Sequence, residues 1–480
     1  MSGPYTRRDF LTVSALSAAA LASTSEPELR SAKDSVKGNA PAGDVTVWVT
    51  DDNHRLSRLT SLAWQPVTRP VPSDAVILNP DKQFQEILGF GAAFTDAACY
   101  TLHRLPPAAR DELFNRIFHP AQMSFNVCRI CMGASDYSAS LYSYNDGDAD
   151  PELKRFSIEH DRTYILPILR EARRMNPDLF LLASPWSPPG WMKANGSMLG
   201  GSMRREHMPS YAHYFLKFLE TYVAEGVPVQ AVTIQNEVDT DQDGRMPACI
   251  WPQEYEADFV TRHLGPLLQR SGLKTKICLI DHNYNLWGRA LAELEAPGVR
   301  QYANAIAWHG YIGEPEWMDR VHKAYPDVDM FWTEGGPDYT DPNYATDWVH
   351  WSKTFTAILR NCCRSITSWN LALDERGRPN IGPFNCGGLV TIHSETKAIT
   401  YSGQFHAFAQ YSRFIPKSSR RFDSQSTAKD LYHVAFRSPA GQNALILTNR
   451  GPSRNCQLRL GEQAVTLELS QKSVTTLLWT

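Results

Sequence analysis

From Gly89 onward the chain alternates short apolar runs with amphipathic stretches, and it does so eight times. The runs are Gly89–Phe94, Phe125–Met132, Leu179–Ser184, Val229–Ile234, Lys276–Ile280, Ala303–His309, Asp329–Thr333 and Ser365–Asn370. Each is short and nearly unbroken, as a parallel strand covered on both faces should be. Between them Pro106–His119 carries Leu113, Ile117 and Phe118 at helical spacing, opened by a proline pair. His160–Met175 repeats the pattern with Ile165, Ile168, Leu169 and Ala172. Tyr211–Ala224 and Gln253–Arg270 follow, then shorter stretches near Ala290, Trp317 and Trp351. Eight strand–helix units predict a (β/α)8 barrel. A doubly wound open sheet is the competing architecture, but no Gly-rich phosphate turn follows any of the strands.

A second unit is all β. After a helical stretch, Gln404–Ile415, come Tyr432–Phe436, Ala444–Thr448, Gln457–Leu460, Ala464–Leu469 and Ser473–Trp479, separated by Gly- and Pro-containing turns. Near the other end Val45, Val47 and Val49 alternate with Thr46, Trp48 and Thr50, the period of a strand. That early strand is expected to join the C-terminal ones, so both chain ends build one side β-sandwich. A chain of 480 residues suits two such units. The expected division is 1–43 signal and linker, 44–84 the first part of the β domain, 85–416 the barrel and 417–480 the rest of the β domain. The basic cluster Lys417-Ser418-Ser419-Arg420-Arg421 reads as a solvated surface turn.

Arg7-Arg8 precedes a mild apolar run, Leu11 to Ala22, which ends in Ala20-Leu21-Ala22. This reads as a twin-arginine export signal with a small-residue cleavage site, directing the protein to the periplasm or medium. The run is too short for a bilayer core, which needs roughly 20 residues, so no integral membrane segment is expected in the mature chain. Nine cysteines, with Cys128 and Cys131 on one strand, read as buried single thiols. Forty-eight basic against 51 acidic residues leave −3, without long runs of either sign, which argues against a nucleic-acid partner.

Barrel enzymes carry their chemistry at the C-terminal ends of the strands. Here polar residues collect at those ends: Asp136, Trp186-Ser187, Asn236-Glu237, Asp281-His282-Asn283, His309 with Tyr311, Glu334, and Trp369-Asn370. Glu237 and Glu334 end strands four and seven, so their carboxylates can face each other across the mouth. Two carboxyls about 5–5.5 Å apart suit retaining glycoside hydrolysis, in which the acid must be protonated while the nucleophile is ionised. Tyr311 and the backbone near Gly335-Gly336 are the expected donors to the nucleophile. Prolines stiffen Ser184–Lys193 and would fix the indole of Trp186 at the mouth, where sugar faces stack. Asp136 and Asn370 can bond sugar hydroxyls, or cap turns. No His-x-x-x-His or comparable ligand spacing supports a metal, and no Gly-x-Ser-x-Gly elbow supports a serine nucleophile.

These residues carry a resemblance. Gly89 to Asp96, Cys128-Arg129-Ile130, Ser135 to Ser138, Ser184 to Lys193, Thr233 to Glu237, Asp281-His282-Asn283, His309-Gly310-Tyr311, Thr333-Glu334, Trp369 to Asp374 and Gly387 to Pro416 together resemble glycoside hydrolase family 30, the glucosylceramidase and endo-β-1,6-glucanase group. The resemblance implies Glu237 as acid/base and Glu334 as nucleophile, with Asn236 bonding the sugar beside the reacting carbon. It implies Asp136, Trp186 and Trp369 around the terminal glucose, Tyr311 as partner of the nucleophile, Arg129 as a support below the site, and no cofactor. The expected activity is a secreted retaining β-glycosidase on β-glucosides, glucosylceramidase-like. Endo-β-1,6-glucanase, β-xylosidase and β-fucosidase are alternatives within the family, and a non-catalytic carbohydrate-binding barrel is the alternative outside it. Three features depart from the glucosylceramidase pattern: Gly310 stands where an aromatic is usual, Val238 where Pro is common, and Thr240–Pro247 matches no familiar loop.

Overall fold

The computed structural model describes residues 43–67 and 72–480; the twin-arginine reading falls outside them. Eight parallel strands close a barrel: Gly89–Phe94, Val127–Cys131, Phe180–Ser184, Ala231–Thr233, Lys276–Asn283, Ala303–His309, Asp329–Glu334 and Ser365–Ser368. The eighth returns to the first through Ser365 opposite Gly89. Leu182, Ala231, Cys278, Ala305, Ala307 and Phe331 form a buried cluster of their own, while a larger core joins strands to helices. Having apolar residues on both faces is why these strands read as unbroken runs.

Two expected helices are interrupted, each next to a proline. His160–Met175 is Glu159–Thr163 and Ile165–Met175, parted at Tyr164, whose φ is −148°. Pro167 lacks the N–H that would bond back and crowds the preceding turn. Gln253–Arg270 becomes Gln253–Asp258, a π-helical turn Phe259–Leu264, and Gly265–Ser271. Pro266 again removes a donor, and the ring of Tyr302 would lie 2.4 Å from a Cβ on Gly265.

The β domain is a ten-strand order running Ser57–Arg58, Thr46–Thr50, Ser473–Trp479, Asn443–Asn449, Leu431–Arg437, Arg420–Gln425, Val76–Glu86, Arg454–Leu460, Gln463–Leu469 and Gln65–Pro66. Thr46–Thr50 lies antiparallel to Ser473–Trp479, with Thr46 opposite Leu478. Val47, Val76, Leu445, Leu447, Leu458, Leu467 and Leu477 share one core, so the two halves of the order fold face to face. Ile446, between Leu445 and Leu447, points the other way into the barrel–helix core, as strand alternation requires.

The basic cluster departs from its reading as a solvated turn. Arg420 and Arg421 open a strand, and Arg421 is buried beside Phe436, its Nε on Gln85 and its guanidinium over the ring of Phe84. Its partner Val76–Glu86 contains Pro80, Asp81 and Lys82 and has no clear apolar period. All nine cysteines are free, and eight are buried. Among the described residues no helix is long and apolar enough to cross a membrane.

Candidate active site

The ends of the fourth and fifth strands set the site. The ladder between strands five and six pairs Ile306 with Leu279 and Ala307 with Ile280, then places Trp308 opposite His282 and skips Asp281. Ile280 and Asp281 have φ of +75° and +46°, so this is a β-bulge, a device that re-aims a side chain at a barrel rim. A β-branched residue at positive φ is unusual, and such positions cost about 1–3 kcal/mol each. The Asp281 carbonyl accepts the N–H of Glu237, itself at φ +57°.

The bulge aims the Asp281 carboxylate into the barrel, where it is fully buried. Its Oδ2 accepts from Arg129 Nη2 at 2.6 Å, Thr233 Oγ1 at 2.7 Å and Ser184 Oγ at 2.8 Å. Its Oδ1 accepts from Thr333 Oγ1 at 2.7 Å and faces His309 Nε2 at 3.1 Å. Burial pushes this carboxyl up, but Arg129, His309 and the hydroxyl donors outweigh it and hold the group well below the usual carboxylate range. Arg129 spends the rest of its fork on Glu334 Oε2 at 2.5 Å, Asn236 Oδ1 at 2.7 Å and Ser184 Oγ at 3.0 Å. Its guanidinium lies 4.6 Å from the ring centre of Trp186.

Glu237 and Glu334 come together around His309. One oxygen of each and a nitrogen of His309 all lie within 4.8 Å of one another. Glu334 Oε1 accepts from the Tyr311 hydroxyl at 3.0 Å. The other expected donor, backbone near Gly335-Gly336, is not the one used; Arg129 takes the second oxygen instead. Glu237 Oε1 faces His282 Nε2 at 3.2 Å and His309 Nδ1 at 3.3 Å, and its Oε2 accepts from Gln242 Nε2 at 2.6 Å. His282 is backed by Asp239.

Burial opposes charge on all these groups, yet the opposite charges win. His282 is raised to about 10 by Glu237 and Asp239, His309 is raised by Glu334, Asp281 and Glu237, and Glu237 is pulled below the carboxylate range by the two imidazoles. Three donor atoms this close are also a spacing for a metal ion. Here, however, the nitrogen among them belongs to His309, whose far nitrogen faces Asp281 and whose imidazole is raised by the surrounding carboxylates.

The remaining residues expected at the site lie around this centre. Asp136 is buried, its Oδ1 has no hydrogen-bond partner, and burial with the charges of Glu334 and Glu237 pushes its carboxyl well up. Asn370 is fully buried, accepts from Thr95 Oγ1 at 2.9 Å, and has an unpartnered Nδ2. Trp186 does not offer a free face, as expected of it, but is buried and stacked on Trp369 with centroids 4.9 Å apart and planes at 21°. The guanidinium of Arg129 lies over the same ring, and two cation–π and stacking partners explain why the indole turns inward.

Sequence reasoning undervalued Arg129, which touches Glu334 directly, and missed Gln242, whose loop carried no motif. It also left Gly310 unexplained. The indole of Trp332 occupies the space beneath both Gly310 and Gly335, with Cζ2 2.7 Å from a Cβ built on Gly310 and Cη2 2.2 Å from one on Gly335. The spaced glycines around a strand-seven tryptophan were the signal.

Comparison with known proteins agrees with this architecture. Residues 87–415 match the family model described as the glycosyl hydrolase family 30 TIM-barrel domain, and 418–477 the family 30 β-sandwich domain. An endo-1,6-β-D-glucanase of Neurospora crassa is 33% identical over 71% of this chain and 72% of its own. The lysosomal acid glucosylceramidase of Mus musculus is 30% identical over 78% and 76%. The solved structure of the endo-β-1,6-glucanase BT3312 superposes with a TM-score of 0.82 at 29% identity, covering 91% of this chain and all of that one. Fold, motifs and relatives agree: this chain is a member of glycoside hydrolase family 30 and an O-glycoside hydrolase.

Proposed function

We propose that the protein is a retaining β-glycosidase acting on β-glucosides, with 1,6-linked β-glucan as its substrate, Glu334 as nucleophile and Glu237 as acid/base. The observation that carries this reading is the approach of the two carboxylates to within 4.8 Å. That suits direct attack by one of them, whereas an intervening water would need about 6.5–9.5 Å between them. Arg129 and Tyr311 each take one oxygen of Glu334, which fits a charged nucleophile held in one orientation. Glu334 attacks the anomeric carbon, Glu237 protonates the departing oxygen, and water deprotonated by Glu237 then releases the sugar with net retention.

The proton for the first step resides on His282 in the free protein, 3.2 Å from Glu237 Oε1, and passes to Glu237 as charge builds on the leaving oxygen. Unpartnered buried polar atoms are uncommon and call for an explanation. The Oδ1 of Asp136 and Nδ2 of Asn370 are two such atoms, and sugar hydroxyls suit both. With its Oδ1 taken by Arg129, Asn236 has its amide N–H groups left to offer the sugar.

The 1,6-glucan assignment rests on the relatives named endo-1,6-β-glucanases. A second reading, a glucosylated lipid, is favoured by one observation. Tyr311 and Ile312 are exposed next to Glu334, and Ile381 and Phe384 are exposed next to Asp136 and Tyr137. Together they give the mouth an apolar rim. Export through the Arg7-Arg8 signal belongs to the same proposal. The test is to incubate the purified protein with 1,6-linked β-glucan and with glucosylceramide in mixed micelles, following products by chromatography and the first-formed anomer by NMR. Oligosaccharides appearing first as the β-anomer are expected from glucan. Release of the α-anomer would refute retention, and turnover of the lipid alone would replace the substrate.

A further inference from the structure

The bulge at Ile280–Asp281 poses a question that the catalytic groups do not answer: what holds two residues in a left-handed conformation at the end of a buried strand. The N–H of Ile280 goes to Glu256 Oε1 at 2.9 Å. Glu256 belongs to the helix Gln253–Asp258 and is completely buried. Its other oxygen accepts from Arg289 Nη2 at 2.8 Å, and Arg289 Nε binds Glu293 Oε1 at 2.7 Å. Glu293 is also buried, and burial with the neighbouring Glu256 pushes its carboxyl well above the usual range.

We propose that Glu256, backed by Arg289, is a positioning residue for catalysis: its carboxylate captures the Ile280 N–H and so holds the bulge that aims Asp281 and anchors Glu237. Two routes lead from that bond to the reacting groups. Through the side chain of Asp281 it reaches Arg129 and His309, and through them Glu334. Through the carbonyl of Asp281 it reaches the backbone N–H of Glu237. Neither route includes a hydrogen bond to Asp136 or Asn370, so loss of the brace disturbs the chemical step more than sugar binding. The catalytic consequence rests on the roles proposed above for Glu237 and Glu334; the mechanical one does not.

The experiment compares Glu256→Leu, which removes the acceptor, with Glu256→Gln, which keeps an oxygen for Ile280. Circular dichroism and a urea melt establish that each variant is folded. Where Glu256→Leu does not fold, Glu256→Leu with Arg289→Leu removes the orphaned buried charge as well. A displacement of about 1 Å in a reacting group costs on the order of 10²-fold in rate, so kcat of the Leu variant is expected to fall about that far, with KM within about threefold of wild type. The Gln variant is expected to retain kcat within about threefold. Hydrogen exchange of the peptide spanning 276–283 supplies a readout that needs no substrate: the Ile280 amide is expected to exchange quickly in the Leu variant and slowly in the other two proteins. Wild-type kcat in a folded Leu variant, slow Ile280 exchange in it, or equal losses in Leu and Gln would each overturn the proposal. A wild-type protein without turnover on any β-glucoside would refute the catalytic reading alone, and exchange would still decide the brace.

Discussion

Arg129→Lys tests how the centre of the site is held. The substitution keeps the positive charge but replaces three nitrogens in a rigid fork by one on a flexible stem. In the wild type the fork meets four partners on four other elements: Ser184, Asn236, Asp281 and Glu334. Three of these bonds are close, at 2.7, 2.6 and 2.5 Å, and all are charge-assisted. A single ammonium cannot reach strands on different sides of the barrel at once, so at least two are lost. At about 1.5–3 kcal/mol per bond to a charged group, the expected destabilisation is about 3–6 kcal/mol. Urea unfolding at pH 7, with an unchanged slope, measures it. With Glu334 no longer held, kcat is expected to fall on the order of 10²-fold as well. A variant within about 1 kcal/mol of wild type and retaining its kcat would refute the claim that the guanidinium organises the site.

Three further outcomes follow from neighbouring groups. Asp161 is fully buried among the hydroxyls of Tyr142, Tyr144 and Tyr222, and burial raises it from 3.8 to about 6. The native state then binds that proton more tightly than the unfolded chain, so stability is lost as pH rises through 4 to 6, by about 3 kcal/mol. Asp161→Asn removes that loss, so variant stability relative to wild type, from urea melts, should improve by this amount between pH 4 and pH 7; a constant difference would contradict it. His282→Asn removes the imidazole that keeps the pair's proton up to about 10, and the alkaline limb of kcat/KM should move to lower pH by about one unit or more; an unmoved limb would exclude His282 as the proton store. Gly310→Ala drives a methyl against Trp332 and should cost about 1–3 kcal/mol through overpacking, with no change in a thermal melt as the contrary result.

What the sequence showed and what it hid divide along physical lines. The barrel strands announced themselves because burial on both faces writes an unbroken apolar run, and Glu237, Asp281, His309 and Glu334 stood out as polar residues breaking such runs at their ends. Val76–Glu86 and Arg420–Gln425 were hidden for the opposite reason. Their long polar side chains lie along apolar surface, as Arg421 does over Phe84, so no period appears. The bulge at Asp281 left no compositional trace, because Ile280 is not a residue that marks positive φ. Gln242 was equally silent, its contact with Glu237 being made by a loop whose path depends on tertiary packing. Trp186 was found but its burial was not, since nothing local says that Trp369 will stack on it and that Arg129 will lie against it.

The central claim is that Glu334 forms a covalent bond to the sugar. It is tested most directly with a 2-deoxy-2-fluoro-β-glucoside bearing a good leaving group, which slows release of a glycosyl-enzyme far more than its formation. Intact-mass measurement followed by peptide mapping should show one fluoroglucosyl adduct, carried on Glu334 in the peptide around Trp332-Thr333-Glu334-Gly335. An adduct on Glu237 or any other residue, or none on a protein that hydrolyses the parent glucoside, would contradict the account.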